Sequence, residues 1–105
     1  MVNYRLTKAA ELDLSNIFCY TAEKFGLDQA REYHSSFYQE AFTLISENPR
    51  VGRDCSAFDN GLRRFEHRSH SIYYEIEAQN SSEQILILRV LGGNQDPLLH
   101  IIEPE

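Results

Sequence analysis

The residues of this chain best equipped for chemistry are cationic and lie in its second half. Five arginines, Arg50, Arg53, Arg63, Arg64 and Arg68, fall between residues 50 and 74 against Asp54, Asp59 and Glu66, a positive island on an acidic chain. A guanidinium is a permanently charged fork that can grip a carboxylate or a phosphate with two hydrogen bonds. Arg63 and Arg64 are adjacent in a segment that reads as a strand, so one faces the helices and the other faces out. Pairing with a helix carboxylate such as Asp13 and contact with a target are both open to them. Arg89 interrupts an apolar run over 85–91. A partly buried arginine has to be paired, so Arg89 is expected in an ion pair, with partner or target binding as the competing use.

The proton-carrying groups form no constellation. His67 and His70 would lie on opposite faces of a strand and read as surface or turn histidines, not metal ligands. His100 is a lone candidate acid or base in the tail. Asp96-Pro97 reads as a turn that fixes that tail. Glu11, Asp13, Glu23 and Glu40 are expected to be solvated helix carboxylates. Cys19 and Cys55 match no zinc or redox spacing and read as free thiols in a reducing cytoplasm. Asn80-Ser81-Ser82 is most simply a turn.

Composition narrows the classes. Ten Lys and Arg against sixteen Asp and Glu give a formal net charge of -6, which argues against a protein that wraps nucleic acid through clustered positive charge. The 105 residues, 42% of them hydrophobic, fit a single domain spanning 1–105. Six Tyr and six Phe without Trp point to an aromatic-rich interior. Residues 1–8 lack the apolar core of a signal peptide, and no stretch approaches the roughly 18 apolar residues of a membrane span. A cytoplasmic protein that meets no membrane is expected.

These groups need elements to hold them. Residues 2–6 read as a short strand, and Thr7 sits where a helix N-cap belongs. Over 8–24, Ala10, Leu14, Ile17, Phe18 and Thr21 recur at helical spacing, and Phe25-Gly26 closes the helix. Asp28 is placed to cap a second helix running to about Glu47, with Ala30, Tyr33, Phe37, Ala41, Leu44 and Ile45 as its stripe. Asn48-Pro49 ends it. Two helices so closely joined predict an antiparallel hairpin. Downstream, 62–66 is a strand. Residues 71–77 alternate, with Ile72, Tyr74 and Ile76 on one face and Tyr73, Glu75 and Glu77 on the other. Residues 80–83 turn into an apolar strand over 85–91. In that last strand Leu86, Leu88 and Val90 are assigned to the helices. Ile85, Ile87 and Leu91 are assigned to an open face short of cover, the kind of patch that marks an interaction site.

The chain resembles the ParE branch of the RelE/ParE toxin superfamily over essentially its whole length. The resemblance rests on Tyr4-Arg5-Leu6-Thr7, Ala10-Glu11-Leu12-Asp13-Leu14, Phe25-Gly26 with Gln29-Ala30, Asn48-Pro49 with Gly52-Arg53, and Gly61-Leu62-Arg63. It continues through His70-Ser71-Ile72-Tyr73-Tyr74, then Arg89-Val90-Leu91 leading to Asp96-Pro97 and His100. Order and spacing carry the match, not any single element. It implies an α+β fold of order β-α-α-β-β-β, a helical hairpin packed on a small antiparallel sheet. It also implies the toxin of a type II toxin–antitoxin operon, neutralised by a ParD-type antitoxin and acting on DNA gyrase. No cofactor, no metal and no catalytic residue of its own is implied.

RelE-like relatives instead cut messenger RNA on the ribosome. That reaction needs a base, an acid and cations to hold phosphorane charge. Here Ser71 stands near the place of their strand arginine, and the uncharged Gly92-Gly93-Asn94-Gln95 stands where they carry basic residues. A ribosome-dependent endoribonuclease using Arg64, Arg89 and His100 is therefore the second reading. The 92–95 loop also departs from the ParE pattern, in which a histidine follows the Val-Leu pair and a basic residue and a methionine precede the aspartate. This departure keeps a third reading, a non-toxic antitoxin-binding member. Expected target-binding residues are Arg63, Arg64, Asn94, Asp96 and His100. Expected antitoxin-binding residues are Ile85, Ile87, Arg89 and Leu91, with no direct nucleic-acid binding by the free protein.

Overall fold

Thr7 starts the helical layer. Its hydroxyl accepts a hydrogen bond from the Ala10 N–H at 3.0 Å and so caps α1 (Lys8–Phe25), which follows β1 (Asn3–Leu6). The structure, a computed structural model, describes residues 2–92, apart from the Gln79 side chain. Gly26 ends α1 at φ +95°, a backbone that a side chain would strain. Gly26 also caps α2 (Leu27–Ser36), so Asp28 lies inside the first turn, not at the cap.

The second helix runs to Glu47 as expected, but not as uniform α-helix. A π-helical turn (Phe37–Phe42) separates α2 from α3 (Thr43–Glu47). The Thr43 hydroxyl donates to the Tyr38 carbonyl, five residues back, at 2.9 Å. The extra residue of a π turn advances all later side chains by roughly 100° around the axis. The buried stripe therefore becomes Ala30, Phe37, Ala41, Phe42 and Ile45, and Leu44 is turned out to 37% exposure.

The remaining strands are β2 (Arg53–Asp54), β3 (Arg63–His67), β4 (His70–Gln79) and β5 (Ser82–Gly92), in one sheet ordered β1-β5-β4-β3-β2. The α+β layout is the expected one, with two differences. β1 pairs with β5 in parallel, which makes the sheet mixed, and the short β2 adds an edge strand. Asn80 and Ser81, at φ +50° and +68°, form a two-residue hairpin turn between β4 and β5. Two successive positive φ angles match the right-handed twist of the flanking strands.

One irregularity decides which way β5 faces. Tyr73 pairs with Arg89 but Tyr74 pairs with Ile87, so Leu88 is an extra residue. This bulge breaks the alternation of β5. Ile85, Ile87 and Val90 all face the helices, where they pack with Ala10, Leu14, Phe37, Phe42, Ile45, Ile72 and Tyr74. The assignment of Ile85 and Ile87 to an open face is thereby corrected, because both are completely buried under the helical layer. Leu91 does lie on the other face, with Leu62 and Tyr73, but it too is buried. Part of the cover there comes from the 55–62 segment, held by Cys55 N–H to Leu62 O at 2.8 Å and Leu62 N–H to Asp59 O at 3.0 Å.

Candidate partner- and target-binding site

Near the bulge, the cap and first turns of α1 take up one backbone group of Leu88 and one of Val90. The Thr7 hydroxyl donates to the Leu88 carbonyl at 2.8 Å. The Asp13 carboxylate accepts from the Val90 N–H at 2.9 Å, from Arg89 Nε at 2.7 Å and from Arg89 Nη2 at 2.8 Å. Asp13 is buried, not solvated as expected of a helix carboxylate, and Arg89 is in the structural ion pair that its setting required. The carboxylate considered for Arg63 or Arg64 is thus occupied by Arg89.

Arg63 serves a loop. Its Nη1 donates to the Gly52 carbonyl at 2.7 Å and to the Arg50 carbonyl at 3.4 Å. Beside it the Tyr74 hydroxyl donates to Pro49 O at 2.7 Å and accepts from the Gly52 N–H at 2.9 Å. Gly52 is required at this approach, since a Cβ there would stand 2.6 Å from the Tyr74 oxygen. Arg63 and Tyr74 together clamp the 49–52 loop to the sheet.

Arg64 occupies the opposite face. Its Nε pairs with Glu66, whose carboxylate also accepts from the Ser71 hydroxyl, and its guanidinium lies 5.8 Å from the Tyr73 ring centroid. Arg64 and Arg89 therefore serve different surroundings, one on the outer face and one locked to α1. Asn94, Asp96 and His100, the other expected target-binding residues, lie outside the described residues, as do Gly93 and Gln95 of the variant loop.

His67 and His70 are not on opposite faces. They pair across the two-residue turn Arg68-Ser69 and both turn toward the helices. Ser36 Oγ donates to the Tyr33 carbonyl at 2.6 Å, so in its 2.8 Å contact with His67 it accepts from the imidazole Nε2–H. Tyr33 OH meets His70 Nδ1 at 2.7 Å. Burial holds both histidines below their ordinary value, aided at His67 by Arg68 and at His70 by His67; Glu40 and Asp13, respectively, pull the other way. Arg68 lies over the Tyr33 ring and reaches Glu40 at 3.2 Å.

This hairpin forms one wall of a cleft of about 490 Å³, lined on the helical side by Tyr20, Phe25, Gln29 and Tyr33. A smaller hollow of about 200 Å³, lined by Asp13, Asn16 and Ile17, shares Tyr20 and His70 with it. Tyr20 is 60% and Phe25 70% exposed. The sequence reading missed this surface because it followed the buried stripe of α1. The available signal was Tyr20, a large aromatic residue off that stripe. Among the described residues no three His, Cys, Asp or Glu side chains gather as a metal site, and no helix is long and apolar enough to cross a membrane.

The chain is similar to known proteins along most of its length. The family described as "ParE toxin of type II toxin-antitoxin system, parDE" matches residues 4–97. Toxin ParE1 of Mycobacterium tuberculosis (strain CDC 1551 / Oshkosh) is 31% identical over 93 residues, covering 89% of this chain and 91% of the relative. Toxin ParE1 of Caulobacter vibrioides is 29% identical over 101 residues, covering 96% and 99%. The solved structure titled "Chromosomal ParDE TA system from P. aeruginosa" superposes with a TM-score of 0.70 at 19% identity, covering 88% of this chain and 96% of that one. With the family model matched over 4–97 and a relative 31% identical along most of both chains, the chain belongs to the ParE toxin family of type II toxin–antitoxin systems.

Proposed function

We propose that this ParE-family chain is a cytoplasmic toxin that inhibits DNA gyrase without chemistry of its own, and that a ParD-type antitoxin neutralises it. The observation that carries the reading is the commitment of Arg89 to Asp13, at 2.7 and 2.8 Å. A nuclease would need its cations directed at one scissile phosphate. Here one of the two strand arginines named for that role is spent on a buried carboxylate, while Arg64 looks out from the sheet next to Tyr73. Inhibition by docking requires no such convergence. For the antitoxin, support comes from the exposed aromatic residues Tyr20 and Phe25 beside the cleft, a patch that a partner segment folding on binding would cover.

The test is a supercoiling and cleavage assay with purified gyrase and the antitoxin-free protein. Inhibition with trapped cleaved DNA, relieved by a ParD-type antitoxin, is the expected result. Cleavage of messenger RNA in a translating ribosome extract, with gyrase unaffected, would overturn it in favour of the nuclease. Silence in both assays, with the antitoxin still bound, would make the chain a non-toxic binding member.

A further inference from the structure

On the outer face of the sheet, the register sets Arg53 directly opposite Arg64, and Arg64 directly opposite Tyr73. Directly opposed residues of an antiparallel pair project to the same side, and like charges so placed destabilise the pairing. The row is thus an arginine pair backed by an aromatic residue, at the edge of a sheet whose other face carries the helices. Arg64 is fixed by Glu66 and the Tyr73 ring. The Arg53 side chain is exposed and makes no hydrogen bond or ion pair among the described residues. Its charge still reaches the Tyr73 hydroxyl, which burial raises above its ordinary value while Arg64 and Arg53 pull it down.

We infer that Arg53 and Arg64 form a docking site for a carboxylate-bearing segment of a protein partner. An incoming carboxylate would neutralise the opposed pair and accept hydrogen bonds from both guanidinium forks. Three features favour a peptide carboxylate over a nucleic-acid strand. Glu66, on the same face of β3 as Arg64 and bonded to it, borders the pair, which leaves room for an isolated anion but not for a track of phosphates. Tyr73 is 4% exposed, so its ring offers no platform for a base. The net charge of -6 repels a polyanion at long range. The inference does not depend on gyrase being the target.

The experiment uses the full chain labelled with nitrogen-15, titrated at low ionic strength with a blocked Glu-Ala repeat peptide and, separately, with a single-stranded oligonucleotide of equal charge. Saturable shifts of the Arg53 and Arg64 Nε–H signals with the peptide are expected. Arg50 and Arg5, which lie outside the Arg53–Arg64 row and pair with Glu83 and Glu77, should stay in place. Arg53→Gln should weaken peptide binding about tenfold and raise the melting temperature by about 2 °C through relief of the opposed charges. Equal, unsaturable shifts of all arginines, or tighter binding of the oligonucleotide than of the peptide, would overturn the assignment. So would an Arg53→Gln protein of unchanged affinity.

Discussion

Asp13 on α1 and Arg89 on β5 are joined by two hydrogen bonds of 2.7 and 2.8 Å, and the same carboxylate takes the Val90 N–H. One buried carboxylate thus fastens the first helix to β5 at the point where the ladder is broken.

Removing one partner of such a pair strands the other charge in a poorly hydrated site. Asp13→Ala is therefore expected to lower the unfolding free energy by about 3–5 kcal/mol, read by urea denaturation. Breaking the exposed Arg31–Asp28 pair with Arg31→Ala should cost no more than about 0.5 kcal/mol. Equal losses in the two variants would refute the anchoring role.

The Tyr74 hydroxyl and Gly52 should behave as one unit. Tyr74→Phe leaves the Pro49 carbonyl and the Gly52 N–H without their partner, at a cost of about 1–3 kcal/mol. Gly52→Ala forces a Cβ against the same oxygen, at about 1–3 kcal/mol. In the double variant the contact with the oxygen is gone while the ring carbon at 2.7 Å remains, so the clash is relieved in part and the losses should fall short of their sum; a thermal-melt double-mutant cycle reads the coupling.

Acid should loosen the β3–β4 hairpin. His67 and His70 are held below their ordinary value of 6.5 in the folded protein, so folding favours their neutral forms. Their contribution to stability is complete above pH 6.5 and is lost as pH falls below it towards the folded values. The exposed carboxylates whose pKa is lowered, Asp54 and Glu83, lose theirs only at lower pH. Melting temperatures taken downward from neutral pH should drop for the wild type and flatten in His67→Asn/His70→Asn. An unchanged slope in that variant would assign the acid sensitivity elsewhere.

The exposed aromatic patch separates binding from folding. Tyr20→Ser with Phe25→Ser should leave the melting temperature almost unchanged, since both side chains are mostly in solvent. On the proposed reading it should weaken binding of a ParD-type antitoxin by about tenfold or more. Ile87→Asp, aimed at a residue first assigned to an open face, is instead expected to unfold the chain, because Ile87 is at the centre of the core. Calorimetric titration beside circular dichroism distinguishes the two effects.

What the sequence disclosed was whatever obeys a simple period. The cap at Thr7, the stop at Gly26, the alternation of Ile72, Tyr73 and Tyr74 and the turn at Asn80 are local rules, and the structure follows them. The errors cluster where one residue breaks a period. The bulge at Leu88 reversed the facing of Ile85 and Ile87, and the π turn rotated Leu44 outward. His67 and His70 were misplaced because the turn at Arg68, φ +53°, lies between them and folds them side by side. Of the expected target-binding residues, Arg63 and Arg64 were correctly placed on opposite faces of one strand. No periodicity reveals that Arg63 is spent on a loop carbonyl, a contact spanning eleven residues.

The register of β1 carries a consequence for how the chain is made. Asn3 pairs with Gln84 and Leu6 with Ile87, so among the described residues β1 finds its strand neighbour in β5, at the far end of the described chain. Synthesis therefore releases a helical hairpin whose apolar side has nothing to lie on, and the sheet closes only when β5 arrives and joins β1 to β4 at once. A chain cut short before β5 lacks the strand that joins β1 to β4.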